Sequence, residues 1–318
     1  MVNLAAKTDQ PTTSTFPFVG IGASAGGLEA ISQLLSEIPA ISGMAFLLVQ
    51  HLDPTRESLL PEILEKRVSM SVREGAEGMA VEANHLYVIP ANTSMSVQGG
   101  HIRLRPRNTT PGPPMPIDDL LDSLSKDQGV NAIGIILSGS GSDGALGLQS
   151  IHTEGGITFA QDASALFDSM PRAAIGLGCV DRVLSPKAIA HEIIRIGRHP
   201  HLRTSAPKSE TLLVEPDGPS LRTMFRLLQA ACNVDFSVYK SGTIERRLSR
   251  RMALKQVASV SDYITLLESD PAERLALGRD FLIQVTHFFR DPQTFDALTQ
   301  TVFPRLVNDI EAGTTLRL

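Results

Sequence analysis

Short apolar runs alternate with amphipathic stretches from residue 18 to residue 197. Seven runs are predicted as strands, at residues 18–22, 45–50, 70–73, 86–89, 132–137, 156–160 and 180–183. Six segments have the apolar spacing of a helix, at residues 26–36, 56–66, 117–126, 145–153, 170–177 and 186–197. Residues 94–105 alternate around Gly99-Gly100, which predicts a β-hairpin at the sheet edge. Because alternating strands and helices are typical of a parallel sheet covered on both faces, we expect an α/β fold with a doubly wound, mostly parallel sheet.

The pattern changes near residue 198. Residues 199–219 are rich in proline and polar residues, which is typical of a linker. Apolar residues then recur at helical spacing, at residues 221–231, 243–256, 261–269, 272–283 and 292–309. Residues 314–318 have the pattern of a first strand of another α/β unit, so we expect the chain to be part of a longer protein. The predicted organisation is a disordered lead-in over 1–15, an α/β domain over 16–198, the linker over 199–219, a small all-helical domain over 220–302 and the start of a further domain over 303–318.

Bulk composition narrows the class of protein. The chain has 318 residues and a net charge of −5, which gives no overall attraction to nucleic acid or anionic lipid. Its two cysteines, Cys179 and Cys232, match no metal or redox spacing, so we expect a reduced, cytoplasmic setting. No apolar stretch approaches the length of a membrane span, and the first residues lack the pattern of a signal peptide. We therefore expect no nucleic-acid partner, no membrane insertion and no metal.

Two turns rich in glycine and serine follow predicted strands directly. Residues 22–26 read Gly-Ala-Ser-Ala-Gly, the pattern of a nucleophile elbow, which would expose Ser24 on a tight strand-to-helix turn. Residues 138–144 read Ser-Gly-Ser-Gly-Ser-Asp-Gly and include Asp143. His51 follows the strand that lies between the two turns in the sequence. Since adjacent parallel strands deliver their C-terminal ends to one crevice, the three residues together predict a Ser-His-Asp triad.

Each of the three residues also has a simpler interpretation. Ser24 and Asp143 precede predicted helices and have side chains that cap helix N-termini, while His51 fits a polar strand end. The glycines of both turns fit the dinucleotide-binding fingerprint as well. That fingerprint requires an acidic residue at the end of the next strand, where this chain has Gln50-His51. The nucleotide-binding alternative is therefore the weaker one.

Five short motifs occur in order along the α/β region. They are Gly-Ala-Ser-x-Gly-Gly at 22–27, Val-Gln-His at 49–51, Leu-Ser-Gly-x-Gly-x-Asp-Gly at 137–144, Ala-Gln-Asp at 160–162 and Met-Pro-x-x-Ala at 170–174. In this order they resemble the catalytic domain of the bacterial chemotaxis methylesterase family CheB, which has a Rossmann-type sheet. The resemblance implies hydrolysis of γ-glutamyl methyl esters on chemoreceptor-like proteins, together with deamidation of receptor glutamines. It places Ser24 as nucleophile, His51 as general base and acid, and Asp143 as the orienting carboxylate.

The same resemblance raises further expectations about the site. The backbone at Ser140 would lie near the developing oxyanion, and Met170, Pro171 and Arg172 would border the substrate cleft. Arg172 fits a solvated charge at a helix start equally well. Ser140 and Ala25 replace the methionine and threonine that are common in the family, a change that leaves the backbone donors available. Family members commonly carry an N-terminal receiver domain that blocks the site until it is phosphorylated. Because only about 15 residues precede the first predicted strand, we expect constitutive activity or control by a different partner.

The helical region contains two motifs. Residues 240–255 combine an apolar stripe with a basic surface, formed by Arg246, Arg247, Arg250, Arg251 and Lys255. That surface predicts either a solvated face or docking to an acidic protein surface. Residues 285–292 read Val-Thr-His-Phe-Phe-Arg-Asp-Pro, and with the basic helix they resemble the N-terminal helical domain of the methyltransferase family CheR. By this resemblance Thr286 and Arg290 would contact S-adenosylmethionine, and the basic helix would bind the receptor. The aromatic motif also fits a buried packing turn.

The sequence therefore predicts a protein-glutamate methylesterase fused to the N-terminal part of a protein-glutamate O-methyltransferase. The esterase would need no cofactor, and S-adenosylmethionine would serve only the completed methyltransferase, because the glycine-rich motif for it is expected after residue 318. The expected partners are a methylated chemoreceptor-like protein and other signalling or kinase modules. A non-catalytic scaffold that binds receptor helices stays open as the alternative class.

Overall fold

A computed structural model describes residues 16–51, 59–106, 114–199, 219–282 and 299–300. The strands are β1 (Phe18–Ala23), β2 (Ala45–Gln50), β3 (Ser71–Glu74), β4 (His85–Val88), β5 (Thr93–Gln98), β6 (His101–Pro106), β7 (Ala132–Ile136), β8 (Ile157–Gln161) and β9 (Arg182–Leu184). The helices are α1 (Gly27–Leu35), α2 (Leu60–Glu65), α3 (Pro116–Gln128), α4 (Ala145–Thr153), α5 (Ser169–Gly176), α6 (Pro186–Gly197), α7 (Pro219–Cys232), α8 (Ser241–Lys255), α9 (Val260–Ser269) and α10 (Pro271–Phe281).

The main sheet has the strand order β3-β4-β2-β1-β7-β8-β9, and all of its strands run parallel. Strands β1 and β7 are buried along their whole length, which explains why they are continuous apolar runs rather than alternating ones. The hairpin β5–β6 pairs antiparallel as a separate two-stranded sheet. These findings confirm the predicted doubly wound α/β fold. The predicted strand at 314–318 lies outside the described residues, as does the predicted helix at 292–309 except for residues 299–300.

Helices cover both faces of the sheet, each over its own apolar core. One core contains residues of α1, α2 and α6, and the other contains residues of α3, α4, α5 and the hairpin. The chain therefore leaves β1 toward one face and the neighbouring β7 toward the other. In open α/β sheets such a reversal opens a crevice at the C-terminal ends of the two strands, where ligands bind.

Two glycines of β1 allow helix α3 to lie close to the sheet. A Cβ atom at Gly20 would lie 2.6 Å from Leu121 Cδ2, and one at Gly22 would overlap Ile117 Cγ2. The missing side chains thus serve helix–sheet packing. This packing accounts for Gly20 and Gly22, which also fit the dinucleotide-binding fingerprint in the first of the two turns.

Helices α7–α10 pack around a third apolar core. It contains Leu221, Met224, Leu228, Phe236, Ile244, Leu248, Met252, Tyr263, Ile264, Leu267, Leu277 and Phe281. The predicted apolar stripe of α8 is confirmed, because Ile244, Leu248 and Met252 are all buried in this core. None of the described helices is both long and apolar enough to cross a membrane.

The arginines of α8 bind the α/β region of the same chain. Arg247 donates to the carbonyl oxygens of His152 at 2.6 Å and Thr153 at 2.5 Å, which end helix α4. A guanidinium is favourable there, because the last carbonyl groups of a helix lack partners within it. On the exposed side, Arg246 pairs with Glu154 at 3.1 Å.

Arg250 is wholly buried between two carboxylates. It donates to Asp181, which precedes β9, to Asp280 of α10, and to the carbonyl oxygen of Gly156 at 2.9 Å. The prediction of a solvated or receptor-binding surface is therefore wrong for Arg247 and Arg250. Their charges are used inside the chain, at the N-terminal ends of the sheet strands.

Candidate active site

Ser24 lies at the C-terminal end of the central strand. Strands β1 and β2 are paired up to Ala23 and Gln50, so Ser24 and His51 are the next residues on two adjacent strands. Neighbouring strands lie about 4.8 Å apart. The N–H of Ser24 donates to Ser138 O at 2.9 Å, which joins the turn after β1 to the turn after β7. Gly26 then adopts φ 69°, a left-handed conformation that glycine accepts readily, and α1 begins at Gly27.

His51 is held by its backbone and by its ring. Its N–H donates to Ala23 O at 3.1 Å, and Nε2 lies 2.7 Å from Asp143 Oδ2. The imidazole is partly accessible, with 28% of its side chain exposed, whereas the Asp143 side chain is buried at 3%. A carboxylate accepts hydrogen bonds, so Nε2 carries the proton and the lone pair is on Nδ1. In the serine-protease template the two nitrogens have the opposite assignment.

The Asp143 carboxylate lies at the N-terminus of helix α3. Its Oδ2 accepts from Ile117 N at 3.0 Å, and its Oδ1 accepts from Asp118 N at 2.9 Å. These N–H groups belong to the first turn of α3 and have no acceptor within the helix. The positive end of the helix therefore stabilises a buried negative charge next to His51.

The structure thus brings His51 and Asp143 into direct contact and places Ser24 beside them at the same sheet edge. Within the described residues, Ser24 Oγ makes no hydrogen bond to the imidazole. Hydrogen bonds between catalytic groups are often long before substrate binds, so this geometry is compatible with proton transfer from Ser24.

The turn after β7 is packed tightly against the Ser24 turn. Ser138 N donates to Gln161 Oε1 at 2.9 Å, and Ser138 Oγ donates to Ala25 O at 2.9 Å. A Cβ at Gly139 would lie 2.9 Å from Ser24 Cβ. The backbone N–H groups of Ala25 and Ser140 have no acceptor in the part of the chain that the structure describes. They are available donors for an oxyanion formed above Ser24.

The residues of the Met-Pro motif have different environments. Met170 and Pro171 are buried. A Cβ at Gly139 would overlap Met170 Sδ, so Met170 packs directly against the turn after β7. Arg172 is exposed and lies 3.5 Å from Asp168, one turn earlier along the chain. The interpretation of Arg172 as a solvated charge at a helix start therefore fits its position.

Two polar residues of this site were not predicted from the sequence as contributors to it. Gln161 orients the turn after β7 through Ser138, as described above. Asp118, in the first turn of α3, accepts from Gly147 N at 2.7 Å. Burial raises the pKa of Asp118 to about 6, and the nearby Asp143 charge acts in the same direction, while the N–H of Gly147 opposes the shift. A signal for Asp118 existed, since an acidic residue in a first helical turn is a typical capping residue.

The remaining predicted site residues are not part of this crevice. Thr286 and Arg290, the predicted contacts of S-adenosylmethionine, lie outside the described residues. Among the residues that the structure describes, no group of three or more His, Cys, Asp or Glu side chains is placed to bind a metal ion.

Comparison with known proteins identifies both regions. Residues 19–193 match the family described as CheB methylesterase, and residues 219–282 match the family described as CheR methyltransferase, all-alpha domain. The chain is similar to the crystal structure of the Thermotoga maritima CheB methylesterase catalytic domain, with a TM-score of 0.52 and 25% identity, over 56% of this chain and 97% of that one.

Two curated relatives give the extent of the similarity. A protein-glutamate methylesterase/protein-glutamine glutaminase of Salmonella typhimurium is 33% identical over 192 residues, which cover 58% of this chain and 54% of the relative. An uncharacterized 104.1 kDa protein in the hypE 3' region of Rhodobacter capsulatus is 34% identical over 278 residues, which cover 81% of this chain and 29% of that protein. The chain therefore spans about half the length of the first relative and less than a third of the second. The α/β region has the sheet and the family match expected from its five motifs, and this chain belongs to the CheB methylesterase family, with a CheR-type all-helical domain fused behind it.

Proposed function

We propose that this chain hydrolyses γ-glutamyl methyl esters on a chemoreceptor-like protein, with Ser24, His51 and Asp143 as its catalytic triad. One observation carries the proposal: the His51 imidazole, next to Ser24 at the sheet edge, donates from Nε2 to a buried Asp143 carboxylate at 2.7 Å. Burying a carboxylate costs free energy, so a buried carboxylate bonded to a partly accessible imidazole is a poor way to stabilise a fold. A histidine that acts as general base requires such a carboxylate to orient it.

The first half of the reaction would transfer the glutamyl group to the enzyme. Ser24 Oγ attacks the ester carbonyl carbon while its proton moves to His51 Nδ1, and the carbonyl oxygen becomes an oxyanion. The N–H groups of Ala25 and Ser140 stabilise that charge. The intermediate then collapses, the bond to the methoxy oxygen breaks, and His51 returns the proton so that methanol leaves. Ser24 now holds the glutamyl group as an ester.

The second half would regenerate the enzyme with one water molecule. His51 Nδ1 takes a proton from water as the water oxygen attacks the acyl carbon. Collapse of the second intermediate breaks the bond to Ser24 Oγ, which receives the proton from His51, and the free glutamate side chain leaves. Asp143 keeps its charge and stabilises the imidazolium in both halves. Attack on a glutamine amide would follow the same steps with ammonia as the leaving group, which is the proposed deamidation.

Apolar residues beside Ser24 fit a protein substrate. Leu166 is 76% exposed and Phe167 is 43% exposed. Both lie against Gly26, since a Cβ at that glycine would be 3.1 Å from Leu166 Cβ and from Phe167 Cδ2. Exposed apolar residues next to a reactive group indicate contact with another surface rather than with water. We propose that they contact the receptor helix around the methylated glutamate.

The described helices α7–α10 leave this crevice open. Their arginines bind the N-terminal ends of the strands, whereas Ser24, His51 and Asp143 follow the C-terminal ends. For the described part of the helical region we therefore expect no steric block of the esterase. Recognition of S-adenosylmethionine by the completed methyltransferase stays a prediction, because Thr286 and Arg290 are not among the described residues.

Methanol release from a methyl-esterified receptor peptide tests the proposal. We expect release by the wild type and none by the Ser24→Ala variant. The Ser36→Ala variant, an exposed serine at the other end of α1, should match the wild type. Mass spectrometry after treatment with a fluorophosphonate should find the label on Ser24. No methanol and no label in the wild type would favour the non-catalytic scaffold, and turnover by Ser24→Ala would exclude Ser24 as nucleophile.

A further inference from the structure

Asp143 and Asp118 each accept hydrogen bonds from the N-terminus of a different helix, Asp143 from α3 and Asp118 from α4. Asp143 lies two residues before the start of helix α4, and its carboxylate accepts from the N–H groups of Ile117 and Asp118 at the start of α3. Asp118 lies in the first turn of α3, and its carboxylate accepts from Gly147 N in the first turn of α4 at 2.7 Å. Each aspartate thus supplies the cap of the helix to which it does not belong.

The exchange determines where the Asp143 carboxylate lies. Its two oxygens are bonded to N–H groups of α3, so its position relative to His51 depends on how α3 and α4 are placed against each other. The Asp118 carboxylate fixes that placement from the opposite side, because it is bonded to Gly147 and lies near the N–H groups of Gly144 and Leu146. Gly144 directly follows Asp143 in the chain.

Stability alone does not explain a carboxylate at this position. Asp118 is half-buried and close to the like charge of Asp143, and both effects disfavour its ionised form. Its N–H partners offset only part of that cost, since the pKa stays raised. An ionisable side chain in surroundings that disfavour its charge is expected where the geometry of a neighbouring reactive group depends on that side chain.

We propose that Asp118 is a positioning residue of the esterase: its carboxylate holds the first turn of α4, which follows Asp143 in the chain, and its N–H holds the Asp143 carboxylate against His51 Nε2. This inference rests on the proposed function, but it concerns a bond that can be observed without substrate. Asp118 contacts neither the imidazole nor Ser24 in the described structure, so it acts only through Asp143.

The test compares two neighbouring substitutions. Asp118→Asn and Asp119→Asn each remove one charge from the first turn of α3, but Asp119 is exposed and its carboxylate makes no bond to any described residue. We expect Asp118→Asn to lower kcat by about 10²-fold with KM unchanged, as for a displacement of about 1 Å at a reacting group. Asp119→Asn should stay within about twofold of the wild type, as surface substitutions do.

Proton NMR gives a readout that does not need activity. The proton shared by His51 Nε2 and Asp143 should give a far-downfield resonance in the wild type and in Asp119→Asn. In Asp118→Asn we expect it to move upfield or to disappear. If the wild type shows the resonance but releases no methanol, the proposed function fails while the positioning role is still tested. A folded Asp118→Asn protein with the wild-type resonance and wild-type kcat would overturn the inference.

A second variant changes the α4 side of the contact between Asp118 and Gly147, in case Asp118→Asn does not fold. In Gly147→Ala the carboxylate of Asp118 remains, but the new Cβ would lie 2.7 Å from Leu121 Cβ and 3.0 Å from Asp118 Cα, which pushes the two helices apart. We expect the same change of the His51 resonance and a lower kcat. An unchanged resonance in this variant would also contradict the positioning role.

Discussion

Arg250 and Asp181 form a buried ion pair that joins the helical region to the α/β region. The guanidinium is completely buried and the Asp181 side chain is 5% exposed. Burial by itself raises the pKa of Asp181, but the charges of Arg250 and His152 and the hydrogen bonds from Thr158 together outweigh burial, and the pKa lies below its usual value. The two regions are thus connected by a buried contact in which each charged side chain needs the other.

Removal of one partner of this pair should destabilise the protein strongly. We expect Arg250→Ala to lower the free energy of unfolding by about 3–5 kcal/mol, because it leaves the Asp181 charge buried without its partner. Urea denaturation followed by circular dichroism measures the change. Arg246→Ala, whose pair with Glu154 is exposed, should cost about 0–1 kcal/mol. Equal effects of the two substitutions would argue against a buried link.

The proposed orienting role of Asp143 predicts a large kinetic effect from a small chemical change. Asp143→Asn keeps the shape of the side chain, but its amide can donate toward His51 and favour the wrong tautomer. We expect kcat for methanol release to fall by about 10⁴-fold, as in the serine-protease triad. The thermal midpoint should fall as well, because both carboxylate oxygens accept N–H groups at the start of α3 and an amide nitrogen cannot accept. A loss below about tenfold would remove Asp143 from the mechanism.

The close packing at Gly139 predicts a steric effect on Ser24, the proposed nucleophile. A methyl group there would overlap Met170 Sδ and lie 2.9 Å from Ser24 Cβ. We expect Gly139→Ala to lower kcat by about 10²-fold through displacement of Ser24. The additional substitution Met170→Ala should restore part of the activity by making room. Gly176→Ala is the matched control, because no atom lies within 4 Å of a Cβ at that helical glycine.

The raised pKa of Asp118 predicts how stability depends on pH. The folded protein binds this proton with a pKa of about 6, against about 3.9 in the unfolded chain. Between these values the folded state holds more protons, so stability from this group is complete below about pH 4 and is lost as the pH rises through about 6. The unfolding free energy of the wild type minus that of Asp118→Asn should therefore fall from pH 4 to pH 7. A difference that rises with pH would show that the carboxylate is favoured in the fold.

Local patterns were sufficient for most of the secondary structure. The apolar runs predicted all seven strands of the main sheet within one or two residues, and the alternation around Gly99-Gly100 predicted the hairpin. Residue order also separated Ser24, His51 and Asp143 onto three strand ends. These predictions succeed because strand burial and tight turns depend on neighbouring residues in the chain.

Which contacts the charged side chains make depends on residues that are far away in the sequence. The Arg250 pattern is the same in a solvated helix and in a buried one, and distant partners such as Asp181, 69 residues earlier, distinguish them. In the same way, the role of the Asp118 carboxylate depends on its bond to Gly147, 29 residues later in the sequence. Which imidazole nitrogen of His51 bonds to Asp143 depends on how α3 packs against the sheet.

The order of residues was enough to predict the alternating α/β pattern, the two turns and the residues available for chemistry, because backbone geometry and burial periodicity are local properties. The packing of distant segments was needed to show that His51 contacts Asp143, that Asp118 accepts from Gly147 at the start of α4, and that the basic helix binds its own chain. Those outcomes follow from hydrogen-bond distances and burial, which exist only once separate segments are packed together.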